Sequence, residues 1–206
     1  LMLEKKLFGK IIKLNNPSLD DIYPDDISLM FNWMKNLELK KKPVILDVGA
    51  NIGMFSLSYA CIFNEAEIHS FEPVSFIYDY LNQNLINNPN LSSKIQAYNY
   101  GMSNCFERKQ LSIPIPEQHE RYSKELDIRL YSIHGKGKEK FEAQFMPIDQ
   151  WVDQIKIQDL NFIKIDVEGY EFAVLEGATK SLLSFKPIVM FELNQMTLAL
   201  SNKTAD

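Results

Sequence analysis

The sequence predicts an α/β domain built on a doubly wound, mostly parallel sheet. Two observations carry this expectation. Short apolar runs alternate with segments of helical period, joined by short links, which is the pattern of a parallel sheet with helices on both faces. The first of these runs, "PVILDV", ends on an acid, Asp47, and is followed by Gly49, Asn51 and Gly53 before the next helix. Right-handed crossovers then set the winding.

Taken in order, the first 42 residues read as a covering segment. "LMLEKKLFGKIIKLNN" carries charges inside its apolar stretch, so it reads as a helix or strand packed on the domain rather than a signal peptide. Its first residue is Leu1 rather than Met, as in a piece of a longer product. Asp25 to Leu39 puts Ile27, Met30, Phe31, Met34 and Leu37 on one helical face, with Asp25 or Asp26 as cap after Pro24. The main domain then runs from residue 43 to 206. Gly53 to Phe63 reads as a helix with Leu57, Ala60 and Cys61 inward. "AEIHSFE" is the second strand, and Phe76 to Asn87 a helix with Phe76, Ile77, Tyr80, Leu81 and Leu85 as its stripe. "KIQAYNY", "NFIKIDV" and "PIVMFEL" are strands three to five, with a helix from Glu171 to Leu183 before the last. Residues 102–159 form an excursion with two strands and a short helix near Trp151. Within it, Glu117 to Lys140 lacks any period and is expected to be mobile, ordering over a substrate as lids do.

Composition narrows the function. The chain has 206 residues, 46% of them hydrophobic and 24% charged, with a net charge of −5. A nucleic-acid partner is disfavoured, because phosphate binding needs concentrated Lys and Arg, while "ELKKKP" and "GKGKEK" have acids beside them. No apolar run is long enough to span a bilayer. Cys61 and Cys105 stand alone, outside any CxxC or metal-ligand spacing, and point to a reducing, cytoplasmic setting.

The acids after the first two strands define the ligand expected here. In an open parallel sheet a ligand binds beyond the carboxyl ends of the strands, where strand order reverses. Gly49 permits a tight turn there and Gly53 a close helix approach. A pyrophosphate is poorly served by a neighbouring carboxylate, whereas Asp47 suits a ligand with a cationic part. Glu72, ending "IHSFEP", is placed to accept bonds from both hydroxyls of a ribose; its alternative role is to cap the helix after Pro73. Together they bracket an adenosyl ligand with a positive tail, S-adenosylmethionine.

"ILDVGANIGMFS", "SFEP", "NYGMSN", "MPIDQW", "FIKIDVEGYEFAVLEGA" and "PIVMFEL" occur in an order and spacing that resemble the FkbM family of S-adenosylmethionine-dependent methyltransferases, from about Pro43 to Leu193. The resemblance implies the class I methyltransferase, Rossmann-like fold and O-methylation of a hydroxyl on a small molecule or glycan. It implies that Asp47, Gly49, Asn51 and Gly53 form the cofactor loop, that Glu72 binds ribose, and that Ser103 and Asn104 approach the adenine. Many relatives carry Asp where Asn104 stands. The full class I sheet has seven strands ending in an antiparallel pair, and that pair is expected to be missing here, since the sequence stops soon after strand five.

Methyl transfer to a hydroxyl needs alignment and a group to take the proton. Asp166 ends strand four, Glu168 follows in its turn and Glu192 comes from strand five, so these acids are expected to converge on the acceptor. Asp166 serves either as base or to orient the cofactor; Glu171 is expected to stabilise its helix amino-terminus, and Lys164 to pair with an acid. His69 reads as a satisfied strand histidine. His119 and His134 could reach a substrate from the excursion, and Tyr122, Tyr131 and Trp151 read as packing. No metal site is nominated, although clustered carboxylates offer the oxygen ligands that Mg²⁺ takes. The competing expectations are a non-catalytic adenosyl-binding module and an NAD-dependent dehydrogenase; the lack of a full GxGxxG and the presence of Asp47 count against the latter.

Overall fold

The computed structural model describes residues 2–15, 32–112 and 140–192. Five strands, β3 (Val44–Val48), β4 (Glu67–Phe71), β5 (Ile95–Tyr98), β9 (Phe162–Ile165) and β10 (Ile188–Phe191), form one wholly parallel sheet in the order β10-β9-β3-β4-β5. The strand order reverses at β3, which has β4 on one side and β9 on the other. The crevice at their carboxyl ends is therefore the expected ligand position.

Alternation along the strands explains why the runs are apolar throughout. Ile45, Ile68 and Phe162 pack on one face with Leu57, Ala60 and Cys61 of α1 (Met54–Ile62) and with Leu81 and Leu85 of α2 (Ser75–Asn87). Leu46, Val48, Phe71, Ile163 and Ile165 pack on the other face with Trp151 and Val152 of α4 (Ile148–Ile155) and with Val174 of α5 (Glu171–Glu176). A sheet buried on both faces has no solvent side to carry polar alternation. A short turn of helix, α3 (Pro89–Ser92), precedes β5.

The amino-terminal segment is a β-hairpin, β1 (Met2–Leu7) with β2 (Lys10–Asn15). Phe8 and Gly9 both have positive φ, 51° and 79°, as a two-residue type I′ connection requires. Ile12 and Leu14 enter the core beneath it. Of the helix expected over 25–39, residues 32–35 are helical and 16–31 lie outside the described residues. Within the excursion, β7 (Glu107–Ser112) and β8 (Lys140–Met146) pair antiparallel, and the two-residue strand β6 (Gly101–Met102) joins β8 in parallel. Leu111, Ala143 and Phe145 pack on Ile52, Val74 and Ile77, so this second sheet stands beside the loop that follows β3. The stretch expected to be mobile, with His119, His134, Tyr122 and Tyr131, falls outside the described residues apart from Lys140, which opens β8.

One element differs from its expectation. The helix from Glu171 to Leu183 is two helices, α5 and α6 (Thr179–Phe185), broken at Gly177 and Ala178. The break has a tertiary cause. A Cβ on Gly177 would lie 1.9 Å from the Ser103 carbonyl oxygen, and the Asp149 N–H donates to the Gly177 carbonyl at 2.9 Å. Ala178, at the amino-cap of α6, has no side chain able to cap. Asp149 of α4 does so from a distance, accepting from the N–H groups of Lys180 (2.9 Å) and Ser181 (2.7 Å). The Asp149→Ala variant is expected to lose about 1 kcal/mol of stability, as for loss of a cap. Urea denaturation checks this; an unchanged midpoint would show that water replaces the carboxylate at no cost.

Candidate functional site

The site begins with a strand pairing. In the parallel register Asp47 lies beside Ser70 of β4 and Lys164 of β9. Asp47, Lys164 and Asp166 share one face of the sheet by alternation. Ser56 of α1 donates to Asp47 Oδ2 at 2.5 Å and shares a hydrogen bond with Ser70 Oγ at 2.7 Å. Lys164 Nζ lies 3.0 Å from Asp166 Oδ2 and 3.7 Å from Asp47 Oδ1, and 4.6 Å from the centre of the Phe55 ring. Asp47 is fully buried and Lys164 nearly so. Burial pushes the Asp47 carboxyl up, against the opposing pull of Lys164 and Ser56. Burial works against the Lys164 charge, but Asp166 and Asp47 outweigh it and hold the ammonium above its ordinary range. The cation that Asp47 faces is thus Lys164; Asp47 Oδ1 is nevertheless buried without a hydrogen-bond partner.

The loop after β3 is held from several sides. Gly49 has φ 79°, and a Cβ there would sit 1.8 Å from the Asp166 carbonyl oxygen, so no other residue fits this turn. The N–H groups of Gly49 and Ala50 donate to the Phe71 carbonyl at 3.0 and 2.9 Å. Asn51 takes φ 51°, a region Asn tolerates better than most residues. Gly53, with φ 86°, meets Leu81 of α2, where a Cβ would be 2.4 Å from Leu81 Cδ1.

Glu72 joins this loop to the next helix. Its Oε2 accepts from the Asn51 N–H at 3.0 Å and its Oε1 from the Val74 N–H at 2.9 Å. The helix-capping role is therefore present, and each oxygen keeps a further lone pair for a ligand hydroxyl. Burial pushes this carboxyl up to about 7, despite the two backbone N–H groups that favour its charge.

At the far side of the crevice, carboxylate oxygens of Asp166, Glu168 and Glu192 lie within 4.8 Å of one another. Burial opposes ionisation of Asp166, but the charge of Lys164 and hydrogen bonds from Lys164 and Glu192 outweigh it and hold Asp166 below the usual carboxylate range. Burial and the Asp166 charge push Glu192 up to about 7. The pair thus shares a proton, held on Glu192 near neutral pH. Glu168 stands in a turn with φ 52°, followed by Gly169 at 97°. Glu171 Oε1 accepts from the N–H groups of Gly169 (3.1 Å) and Val167 (3.3 Å), fixing that turn from the start of α5.

Ser103 and Asn104 follow β6, and both side chains are engaged within the protein. Ser103 Oγ donates to Glu107 Oε1 at 2.6 Å, and Asn104 Nδ2 to Glu176 Oε2 at 2.8 Å. An adenine edge would compete with these bonds. Glu107 also accepts from the Tyr170 hydroxyl at 2.6 Å, and Lys109 donates to that hydroxyl. This Glu107–Lys109–Tyr170 network was not expected from the sequence, although Tyr170 lies within "KIDVEGYE". Ser56 and Ser70 gave no signal, being small residues inside apolar segments. His69 is buried, with Tyr98 at 3.2 Å and Glu67 at 3.0 Å on its two ring nitrogens. Trp151 packs edge-on against Phe71 and His69.

The fold is that of the class I methyltransferases. It overlaps an FkbM methyltransferase from Methylobacillus flagellatus with a TM-score of 0.55 at 20% identity, over 81% of this chain and 37% of that one. It overlaps an S-adenosylmethionine-dependent methyltransferase from Agrobacterium tumefaciens with a TM-score of 0.51 at 12% identity, over 99% and 59%. Residues 47–199 match the family described as the methyltransferase FkbM domain, and the chain belongs to that family. It is 28% identical over 166 residues to the methyltransferase sdnD of Sordaria araneosa, covering 68% of this chain and 61% of that protein. It is 27% identical over 159 residues to the hexuronic acid methyltransferase AglP of Haloferax volcanii, covering 74% and 57%. The chain therefore spans about 60% of the length of these relatives. Among the described residues no helix is long and apolar enough to cross a membrane.

The buried Glu72 carboxyl makes stability pH-dependent. A carboxyl whose value is raised by folding contributes stability that is full below its unfolded value, about 4.5, and is lost as pH rises through about 7. Chemical denaturation between pH 4.5 and 8 should therefore show wild type losing ground to Glu72→Gln as pH rises. Parallel curves for the two proteins would mean that Glu72 is ionised throughout.

Proposed function

We propose that this chain carries the cofactor site of an S-adenosylmethionine-dependent methyltransferase that methylates a hydroxyl of a small molecule or glycan. One observation carries the reading. At the carboxyl ends of β3, β4, β9 and β10, the carboxyls of Asp47, Glu72, Asp166 and Glu192 gather about Lys164, the one buried Lys or Arg among the described residues. Such an excess of acid favours a ligand with positive charge and disfavours a pyrophosphate. Membership of the FkbM family supports methyl transfer as the reaction class, and the hexuronic acid named for AglP supports a sugar-like acceptor.

The residues fit an adenosyl ligand. Glu72 keeps lone pairs for ribose hydroxyls, and Asp47 Oδ1, 3.7 Å from Lys164, is a buried acceptor without a hydrogen bond. Asp47, Gly49, Asn51, Gly53 and Glu72 would hold the ligand, with Ser103 and Asn104 beside it. When bound, S-adenosylmethionine supplies a methyl group on a positively charged sulfur, an electrophile that needs chiefly alignment.

The acid trio serves the acceptor. Lys164 keeps Asp166 ionised by charge and a hydrogen bond, so Asp166 can accept a hydroxyl proton. Glu192 holds the proton that the pair shares and so relieves the repulsion between them. Glu171 fixes the turn that presents Glu168, the alternative base. The β7–β8 sheet, packed on Ile52 and Val74, walls one side and limits water. Two free thiols, Cys61 buried and Cys105 exposed, support a reducing, cytoplasmic setting.

A methyl-release assay against hydroxylated metabolites and sugars tests the reaction. Asp166→Asn or Glu168→Gln is expected to lower kcat by about 10²–10⁴ with S-adenosylhomocysteine affinity nearly intact, as for loss of a base. If both turn over like wild type, the acids are structural. Glu72→Ala is expected to weaken S-adenosylhomocysteine roughly tenfold or more. Unchanged affinity would remove Glu72 from the ribose site.

A further inference from the structure

Leu81 and Asn84 of α2, with Asn88 that ends the helix, link the loop after β3 to the amino-terminal hairpin. Leu81 and Asn84 stand three residues apart on one helical face, and Asn88 follows four residues on. Leu81 packs on Gly53. Asn88 pairs with Lys13 of β2, accepting from its N–H at 2.9 Å and donating to its carbonyl at 2.6 Å. Asn84 pairs likewise with Asn15, accepting from its N–H at 2.5 Å and donating to its carbonyl at 3.2 Å. Residues 13 and 15 are alternate positions on the strand, so the two carboxamides act as a surrogate neighbouring strand along the free edge of β2. Asn88 Nδ2 also donates to the Asn84 carbonyl at 2.7 Å.

Asn84 does one thing that Asn88 does not. Its Nδ2 donates to the Ile52 carbonyl at 2.8 Å, inside the loop between Asn51 and Gly53. Both asparagines are buried, and Asn84 is fully so. A buried asparagine in mid-helix has no local benefit, because its propensity is poor and its polar atoms must be satisfied. Here the satisfaction comes from two separate segments: the end of the hairpin and the cofactor loop. Hairpin docking holds the carboxamide in the orientation in which it grips Ile52.

We propose that Asn84 is a positioning residue for the cofactor loop, and that through it the amino-terminal hairpin and ligand binding at the loop support one another. The loop clamp is a property of the free protein. Only its effect on affinity rests on reading the loop as the adenosyl site.

Hydrogen exchange and calorimetry test this. In the ligand-free protein, Asn84→Ala and the isosteric Asn84→Asp, which keeps only the acceptor for Asn15, are expected to speed exchange of the amides over Asn51–Met54 about tenfold, as for one lost buried hydrogen bond. Asn88→Ala weakens the hairpin at Lys13 but does not touch the loop, and should leave those amides within about twofold. Equal effects from Asn84 and Asn88 variants, or no effect from either, would reduce Asn84 to general stability and overturn the inference. Affinity for S-adenosylhomocysteine should fall about tenfold in both Asn84 variants and little in Asn88→Ala. Coupling is reciprocal, so S-adenosylhomocysteine bound to wild type should slow exchange of the Asn15 amide. An unchanged Asn15 amide in saturated wild type overturns the coupling even if no variant folds. If wild type binds no S-adenosylhomocysteine, the reading of the site fails, while exchange in the ligand-free variants still decides the clamp.

Discussion

A lysine buried between two carboxylates at the strand ends is the interaction on which the site depends. Lys164 is forced into the sheet by its place in β9, and its register partner on β3 is Asp47. An ammonium so placed would be prohibitively costly alone, and so would the buried Asp47 carboxylate. Together they leave Asp47 held by Ser56 and Lys164, and Asp166 ionised at the rim of the crevice. The same junction fixes the backbone. Gly49 meets the Asp166 carbonyl so closely that the turn after β3 and the end of β9 must move as one unit.

From that junction the rest of the site is built outward. Glu72 ties the turn to the start of α2, and Glu171 ties the end of β9 to the start of α5. In each case a carboxylate satisfies backbone N–H groups at a place where a loop meets a helix. Beyond Lys164 the carboxylate oxygens of Asp166, Glu168 and Glu192 gather within 4.8 Å of one another. Asp166 and Glu192 relieve their mutual repulsion by sharing a proton: Asp166 is held below the usual carboxylate range, and Glu192, pushed up to about 7, is the member that takes up the proton near neutral pH.

The parallel sheet was legible because burial on both faces writes each strand as an unbroken apolar run, and because Asp47 and Glu72 punctuate two of those runs. The acids at the end of β9 and in its turn were legible from their place in the chain. The pairing of Lys164 with Asp47 needed the register between β3 and β9, and a single lysine in "FIKID" does not state it. Asn84 was absent from the apolar stripe read for α2, because a polar residue on a buried face becomes meaningful only when its partners, here Asn15 and Ile52, are known. The break at Gly177 needed the neighbouring Ser103 carbonyl, and "EFAVLEGATKSLL" alone reads as continuous helix. The hairpin at 2–15 was legible only as a packed cover, since its charges are spread along both strands.

We infer that the excess of buried and half-buried acid at the strand ends selects an adenosyl ligand with a positive tail. Calorimetric titration of the protein with S-adenosylmethionine, S-adenosylhomocysteine and NAD tests it most directly. One binding site is expected for the first two and no measurable heat from NAD. Binding of NAD, or of none of the three, would contradict it.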